Sequence, residues 1–215
     1  MNLTYIVISL LALYVSLTVH EFSHAFLAYL QGDSTAQRAG RLTLNPLAHI
    51  DPIGTVMVPL LGAMSGFPLI GWAKPVPFNP YNLSKGGKWG SVYVALAGPL
   101  SNFLMAFVFL GLLRLAVTVL GLSGGNLLVL FLTFLVMINV VLGIFNFIPV
   151  PPLDGSKLLH ALLDHPKYRD FLMTLEQRGP MILMILVIVD FTLPVSILGR
   201  VFGTAVNLVF SLGGL

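Results

Sequence analysis

The 215-residue chain contains no cysteine, which excludes thiolate-bound zinc and iron–sulfur clusters and leaves histidine, carboxylate and other oxygen donors for any metal. Charge is nearly as scarce. Asp, Glu, Lys and Arg make up 9% of the residues, against about 25% in an ordinary soluble domain. So few cannot clothe a water-facing surface, which excludes a soluble enzyme, a disordered chain and a disulfide-stapled secreted domain. The chain also lacks a Gly-rich phosphate loop and internal repeats, and the stretches between its apolar runs are too short for an inserted PDZ or nucleotide-binding domain. Its formal charge of +3 comes from 11 Lys and Arg scattered along the chain rather than gathered in a stripe, so no nucleic-acid partner is expected.

What abounds is apolar sequence, 57% of the residues, with a mean hydropathy of +0.94. Residues 1–215 therefore read as one integral-membrane domain, an all-α polytopic protein of the cell membrane with the lipid bilayer around it. Four stretches approach the ~20 residues that a spanning helix needs: Leu3–Leu30, Ser91–Leu122, Leu127–Ile148 and Pro180–Leu198. The first has no Lys or Arg before it and no small-residue cleavage pattern after it, so it reads as a retained helix, not a signal peptide. Val201–Leu212 is shorter, and either extends the helix before it or lies in the interface.

Ile53–Ala73 is apolar but interrupted by Gly54, Pro59, Gly62, Gly66, Pro68 and Gly71, which disfavours a continuous helix. Were it a span, Arg38 and Arg41 before it would face the opposite side of the membrane from Lys74, Lys85 and Lys88 after it. If it dips in and returns, all five share one side. Lys157, Lys167, Arg169 and Arg178 then join them, because the intervening helical hairpin turns through Ser123–Asn126 without charge. The positive-inside rule therefore favours a re-entrant segment and an external N-terminus.

The strongest local signal is His20-Glu21-Phe22-Ser23-His24. At about 100° per residue, His20 and His24 fall one turn apart on one stripe of a helix, placed to share a zinc ion. Glu21 stands beside that stripe, where it can take a proton from a metal-activated water. With five His and two Glu in the chain, chance supplies H-E-x-x-H on the order of once in a thousand such sequences. Each ionisable group in a spanning helix costs about 2.5–3.5 kcal/mol, and His20 lies roughly 15 Å from the helix end at Leu30.

A catalytic zinc usually takes three protein ligands. The third is open among Asp33, Asp51, Asp154, Asp164, Asp170, Glu176, Asp190 and the remaining histidines. Asp154 stands out, because Pro149, Pro151 and Pro152 break the third span and Gly155 permits a tight turn before a helix resumes at Ser156–Leu163. Taken alone, Asp154 reads as an N-cap of that helix; beside H-E-x-x-H it reads as a ligand. Asn146, close to this loop, reads as a donor to a developing oxyanion. Asn139 reads as interhelical packing glue, and Asn102 as structural or as a support behind a ligand. His49, His160 and His165 read as solvated or capping side chains, and Arg114 and Asp190 as a buried pair or as snorkelling groups.

H-E-x-x-H followed far downstream by a Pro-rich Leu153-Asp154-Gly155 resembles the site-2 proteases, the zinc intramembrane metalloproteases. Gly32-Asp33, Gly40 through Pro46, Asp51 through Gly54, Gly71 through Pro77, Ala97 through Asn102 and Asn146 through Gly155 are also similar to the compact prokaryotic members, over most of Thr18–Leu159. The resemblance implies one Zn2+ per chain on His20, His24 and Asp154, with Glu21 as general base and Asn146 steadying the tetrahedral intermediate. It implies a substrate that is a single-span membrane protein or peptide, and the shared basic side places the active site nearer the cytoplasmic face. For the fold it implies three core transmembrane helices, a re-entrant β-like segment after the first, and here at least one further C-terminal helix. The PDZ insert of many members is missing. A zinc transporter using the same His/Glu/His cluster is the rival reading; it would be expected to carry more spans, a second polar helix and a His-rich loop. A protease of prenylated protein tails would need a second glutamate ligand, for which only Glu176 is available.

Overall fold

The computed structural model describes residues 3–65, 71–84 and 89–215. Eight α-helices follow in order among them: α1 Leu3–Leu30, α2 Thr35–Arg38, α3 Val58–Ser65, α4 Gly90–Thr118, α5 Leu127–Asn146, α6 Gly155–Leu162, α7 Arg169–Thr192 and α8 Ile197–Leu212. Among the described residues, four helical stretches are long and apolar enough to cross a membrane: Leu3–Leu30, Gly90–Thr118, Leu127–Asn146 and Pro166–Thr192.

Helices α1, α4 and α5 pack on one another and form the centre. Fully buried Ala12, Ser16, Ala25 and Ala28 on α1 let the helices approach closely, as small residues do in membranes. Ala12, Leu113, Ala116, Val129, Leu132 and Leu135 fill one end of the core. Leu104, Phe107 and Val108 point outward and are more than half exposed, the arrangement expected where lipid is the solvent. Helix α1 contains no glycine or proline and ends at Leu30; Gly32, with a φ of +101°, turns the chain just beyond it, where Asp33 N–H donates to the Ala28 carbonyl, 3.0 Å.

The expected β-like segment is not found among the described residues. Asp51 Oδ1 accepts from the N–H groups of Ile53 and Gly54 at 3.0 and 2.7 Å, and Pro52 opens a π-helical turn that runs into α3. Asp51 and Pro52 thus start a helix just ahead of the residues read as breakers, and Pro59 and Gly62 lie within α3. Gly54 is small because the Trp72 ring occupies the place of a Cβ, 2.3 Å away. The two ends of the stretch meet: Trp72 N–H donates to the Gly54 carbonyl (3.1 Å) and Lys74 N–H to that of His49 (3.0 Å), whereas a span would hold its ends about 30 Å apart. Residues 66–70 of this stretch, and Lys85 and Lys88 of the charge argument, lie outside the described residues.

The fourth span is also shifted. Helix α7 begins at Arg169 and stops at Thr192, not at Leu198, with Pro180 inside it. It ends because Leu193, preceding Pro194, is extended with ψ 143°. Ser196 and Asp190 then cap a separate helix, α8: Asp190 accepts from Ser196 Oγ (2.5 Å) and from the N–H groups of Ile197 (2.7 Å) and Leu198 (3.1 Å). Helix α8 packs Val206 against Ala106 and Val140 of the core, so it neither extends α7 nor stands apart. Asp190 has no bond to Arg114; it is a cap.

A second polar anchor lies just past α1. Asp33 is fully buried and accepts from Thr35 N–H and Oγ1, Asn82 Nδ2 and Asn79 N–H at 2.6–3.1 Å, tying residues 79–82 to the end of α1. Burial alone would push its carboxyl upward, but these four bonds together hold it below the usual carboxylate value. Because the folded value is the lower one, the stabilisation is complete above the unfolded pKa of about 3.9 and is lost as pH falls through the folded value. The unfolding midpoint in detergent is therefore expected to drop on acidification below about pH 4. Asp33→Asn should flatten that acid limb and remove about 1–3 kcal/mol at neutral pH.

Candidate metal centre

Helix α1 sets the two imidazoles of His20 and His24 edge to face, with ring centroids 4.6 Å apart and planes at 87°; 5% and 8% of the two residues is exposed. His24 Nδ1 lies 2.7 Å from the Val94 carbonyl. A carbonyl only accepts, so Nδ1 carries the proton and Nε2 keeps a free lone pair. His20 Nδ1 lies 2.6 Å from Asn102 Oδ1. The two Nε2 atoms face one another at 3.0 Å.

Asp154 comes to them from the turn between α5 and α6. Pro149, Pro151 and Pro152 deny the backbone the N–H groups of a continuing helix. Gly155 lets the turn close, since a Cβ there would lie 2.4 Å from the Phe147 carbonyl oxygen. Asp154 occupies the N-cap of α6, yet its side chain makes no capping bond. Instead its Oδ2 sits 3.2 Å from His20 Nε2 and 3.3 Å from His24 Nε2, buried and without a hydrogen-bond partner. The capping alternative is thereby set aside.

Three electron-rich atoms thus face one another at 3.0, 3.2 and 3.3 Å with no proton required between them, an arrangement that repels itself unless a cation lies at its centre. Ligands about 2.0–2.2 Å from a tetrahedral zinc stand about 3.3 Å apart. Imidazole and carboxylate donors at that spacing fit zinc, and His20, His24 and Asp154 would hold it. Helix α4 gives them room at Gly98, where a Cβ would come within 2.4 Å of His24 Nε2 and 2.6 Å of His20 Cε1.

Glu21 is half-buried, and its Oε2 accepts from Val76 N–H at 3.0 Å. This is the one N–H that Pro75-Val76-Pro77 possesses, and it belongs to the stretch whose Trp72 and Lys74 are pinned as described above; Arg41 Nη2 further donates to the Lys74 carbonyl. Asn146 is the last residue of α5, and its Nδ2 donates back to the Leu142 carbonyl at 3.1 Å. No hydrogen bond among the described residues joins it to His20, His24 or Asp154. His49 is buried rather than solvated, donating from Nε2 to the Thr43 carbonyl at 2.8 Å. His165 caps, accepting from Lys167 N–H, and His160 stands 3.4 Å from Glu176. Two features escaped the sequence: the Val76 bond, because a backbone donor has no residue signature, and the partners of Asn102, because they lie on other helices.

Two helical histidines and a distant carboxylate thus meet in an apolar bundle, beside a glutamate, as a group that could hold a metal ion. The comparisons with known proteins give the family. The model described as "Peptidase family M50" matches residues 121–187. The candidate zinc metalloprotease YwhC of Bacillus subtilis is 38% identical over 189 residues, covering 85% of this chain and 79% of that protein. The similarly named Rip2 of Mycolicibacterium smegmatis is 34% identical over 81% of this chain and 64% of its own length. A shorter match, 42% identical over 66 residues and 31% of either chain, is to the candidate zinc metalloprotease MJ0611 of Methanocaldococcus jannaschii. No solved structure matches. The chain belongs to peptidase family M50, the site-2 proteases.

Gly98→Ala is expected to crowd both imidazoles and lower the zinc retained after dialysis about tenfold or more. Gly111→Ala on the same helix, where a Cβ meets nothing within 4 Å, should retain zinc as the unaltered chain does. Metal analysis of the two purified variants decides it.

Proposed function

We propose that this chain hydrolyses peptide bonds of single-span membrane proteins or peptides within the plane of the cell membrane, with one zinc ion per chain on His20, His24 and Asp154. The observation that carries the reading is the Nε2–Nε2–Oδ2 triangle inside an apolar bundle with Glu21 next in sequence to one of its corners. Zinc bound there would lower the pKa of a coordinated water to about 7 and polarise a carbonyl oxygen.

The protein's own groups do the rest. Glu21, fixed at one carboxylate oxygen by Val76 N–H, keeps its other oxygen free to take the proton of the attacking water and pass it to the leaving amine. Asn146 spends one amide hydrogen on Leu142 and has a second to offer a developing oxyanion. A substrate helix must unwind first, because its carbonyls are otherwise bonded. In the stretch Gly71–Asn79 the N–H groups of Trp72, Lys74 and Val76 are committed to Gly54, His49 and Glu21. Arg38 at the end of α2, Arg41 just after it and Lys74 within this stretch support an active site nearer the cytoplasmic face, with water entering from that side.

Glu21→Gln should retain zinc while slowing cleavage of a single-span substrate in detergent about 10²–10⁴-fold, and Asp154→Ala should lower metal content. Undiminished proteolysis by Glu21→Gln would remove the general-base assignment.

A further inference from the structure

Four polar side chains lie in a row through the three central helices: Ser16 on α1, Asn139 on α5, Asn102 on α4, and His20 back on α1. Ser16, Asn139 and Asn102 are fully buried and His20 is 5% exposed. We propose that this row is a directional relay that holds His20 in the one tautomer able to bind zinc, with Asn139 and Asn102 as positioning residues for the metal. The inference rests on the zinc reading above and names residues that act behind it.

The direction of every bond follows from the far end of the row, where the acceptors are backbone carbonyls. Ser16 Oγ donates to the Ala12 carbonyl at 2.8 Å. Asn139 Nδ2 donates to the Leu135 carbonyl at 2.8 Å and to Ser16 Oγ at 2.8 Å. A carbonyl cannot donate, so the amide nitrogen of Asn139 faces these two partners and its Oδ1 must face Asn102. Asn102 Nδ2 therefore donates to Asn139 Oδ1, at 2.7 Å. Asn102 Oδ1 is left to accept from His20 Nδ1–H, at 2.6 Å. With the proton on Nδ1, the Nε2 lone pair points at Asp154 and His24.

His24 needs no such device. Its Nδ1 partner is the backbone carbonyl of Val94, which cannot turn round. Asn102 can: rotating its amide by half a turn would present N–H to His20 Nδ1, drive the proton to Nε2 and block coordination. What prevents the rotation is Asn139, and what orients Asn139 is the Leu135 carbonyl. Helix glue alone would account for the bonds, but not for a chain whose sense is set at one end and read out at a metal ligand.

The relay is tested by zinc affinity, measured by chelator competition in detergent, on the full chain. Asn139→Leu keeps side-chain bulk and frees the Asn102 amide to turn; zinc binding should weaken about 10–100-fold, as loss of a ligand's orienting partner does. Ser16→Ala, which leaves Asn139 bonded to Leu135, should change it by less than about threefold, well short of that loss. Asn102→Asp has no wrong face, since either carboxylate oxygen accepts from Nδ1–H, so adding it to Asn139→Leu should restore tight binding. Zinc affinity in Asn139→Leu equal to that of the unaltered chain, or a loss that Asn102→Asp does not recover, overturns the relay. Should Asn139→Leu not fold, ring 15N NMR of the unaltered zinc-loaded protein decides the matter: a proton on Nδ1 of His20 supports it, and metal on Nδ1 refutes it. Absence of zinc binding by the unaltered chain would instead sink the metal reading beneath it.

Discussion

Everything distinctive about this chain depends on holding two lone pairs and a carboxylate oxygen within about 3.3 Å of one another inside a bundle that offers them almost no water. In such surroundings each polar group is costly on its own, and the three together repel unless a cation joins them. The fold meets this demand with local devices. One helix brings two imidazoles by its own periodicity, a run of prolines swings a carboxylate off the end of another, and two glycines, Gly98 and Gly155, remove the atoms that would keep the pieces apart.

The same logic orders the parts farther out. Asn102 and the Val94 carbonyl stand behind the imidazoles and fix where their protons go. The stretch from Gly71 to Asn79 is pinned at Trp72, Lys74 and Asn79, so that Val76 arrives beside Glu21 as a fixed donor, not a wandering one. A carboxylate steadied at one oxygen keeps the other oriented, which suits the proton-accepting role proposed for Glu21. Asp33 and Asp190 serve more ordinary ends. Each gathers backbone and hydroxyl donors where a helix stops and the chain must change direction.

The candidate metal site was legible in the sequence to the extent that its geometry is local. His20 and His24 share a face because of helical period alone, and Asp154 announced itself through the prolines around it. Asn139 read as packing glue, since nothing near it in sequence indicates that its amide faces one helix and its carbonyl another. Around Ile53, glycine and proline were weighed as breakers, whereas Asp51 and Pro52 start a helix and Gly54 makes room for Trp72. The fourth span was displaced for a related reason: Pro180 was taken as a beginning, but the helix runs through it, and Pro194 is the proline that ends it. Proline and glycine mark that something happens to the backbone; which event it is depends on partners the linear pattern does not contain.

The central claim is that His20, His24 and Asp154 converge on one zinc ion. Zinc K-edge X-ray absorption on the purified chain tests it most directly. The account predicts one zinc per chain with two imidazole nitrogens at about 2.0–2.1 Å, and oxygen at about 2.0–2.2 Å that includes the Asp154 carboxylate and is diminished in Asp154→Ala. A spectrum with a single imidazole, or one that Asp154→Ala leaves unchanged, would contradict it.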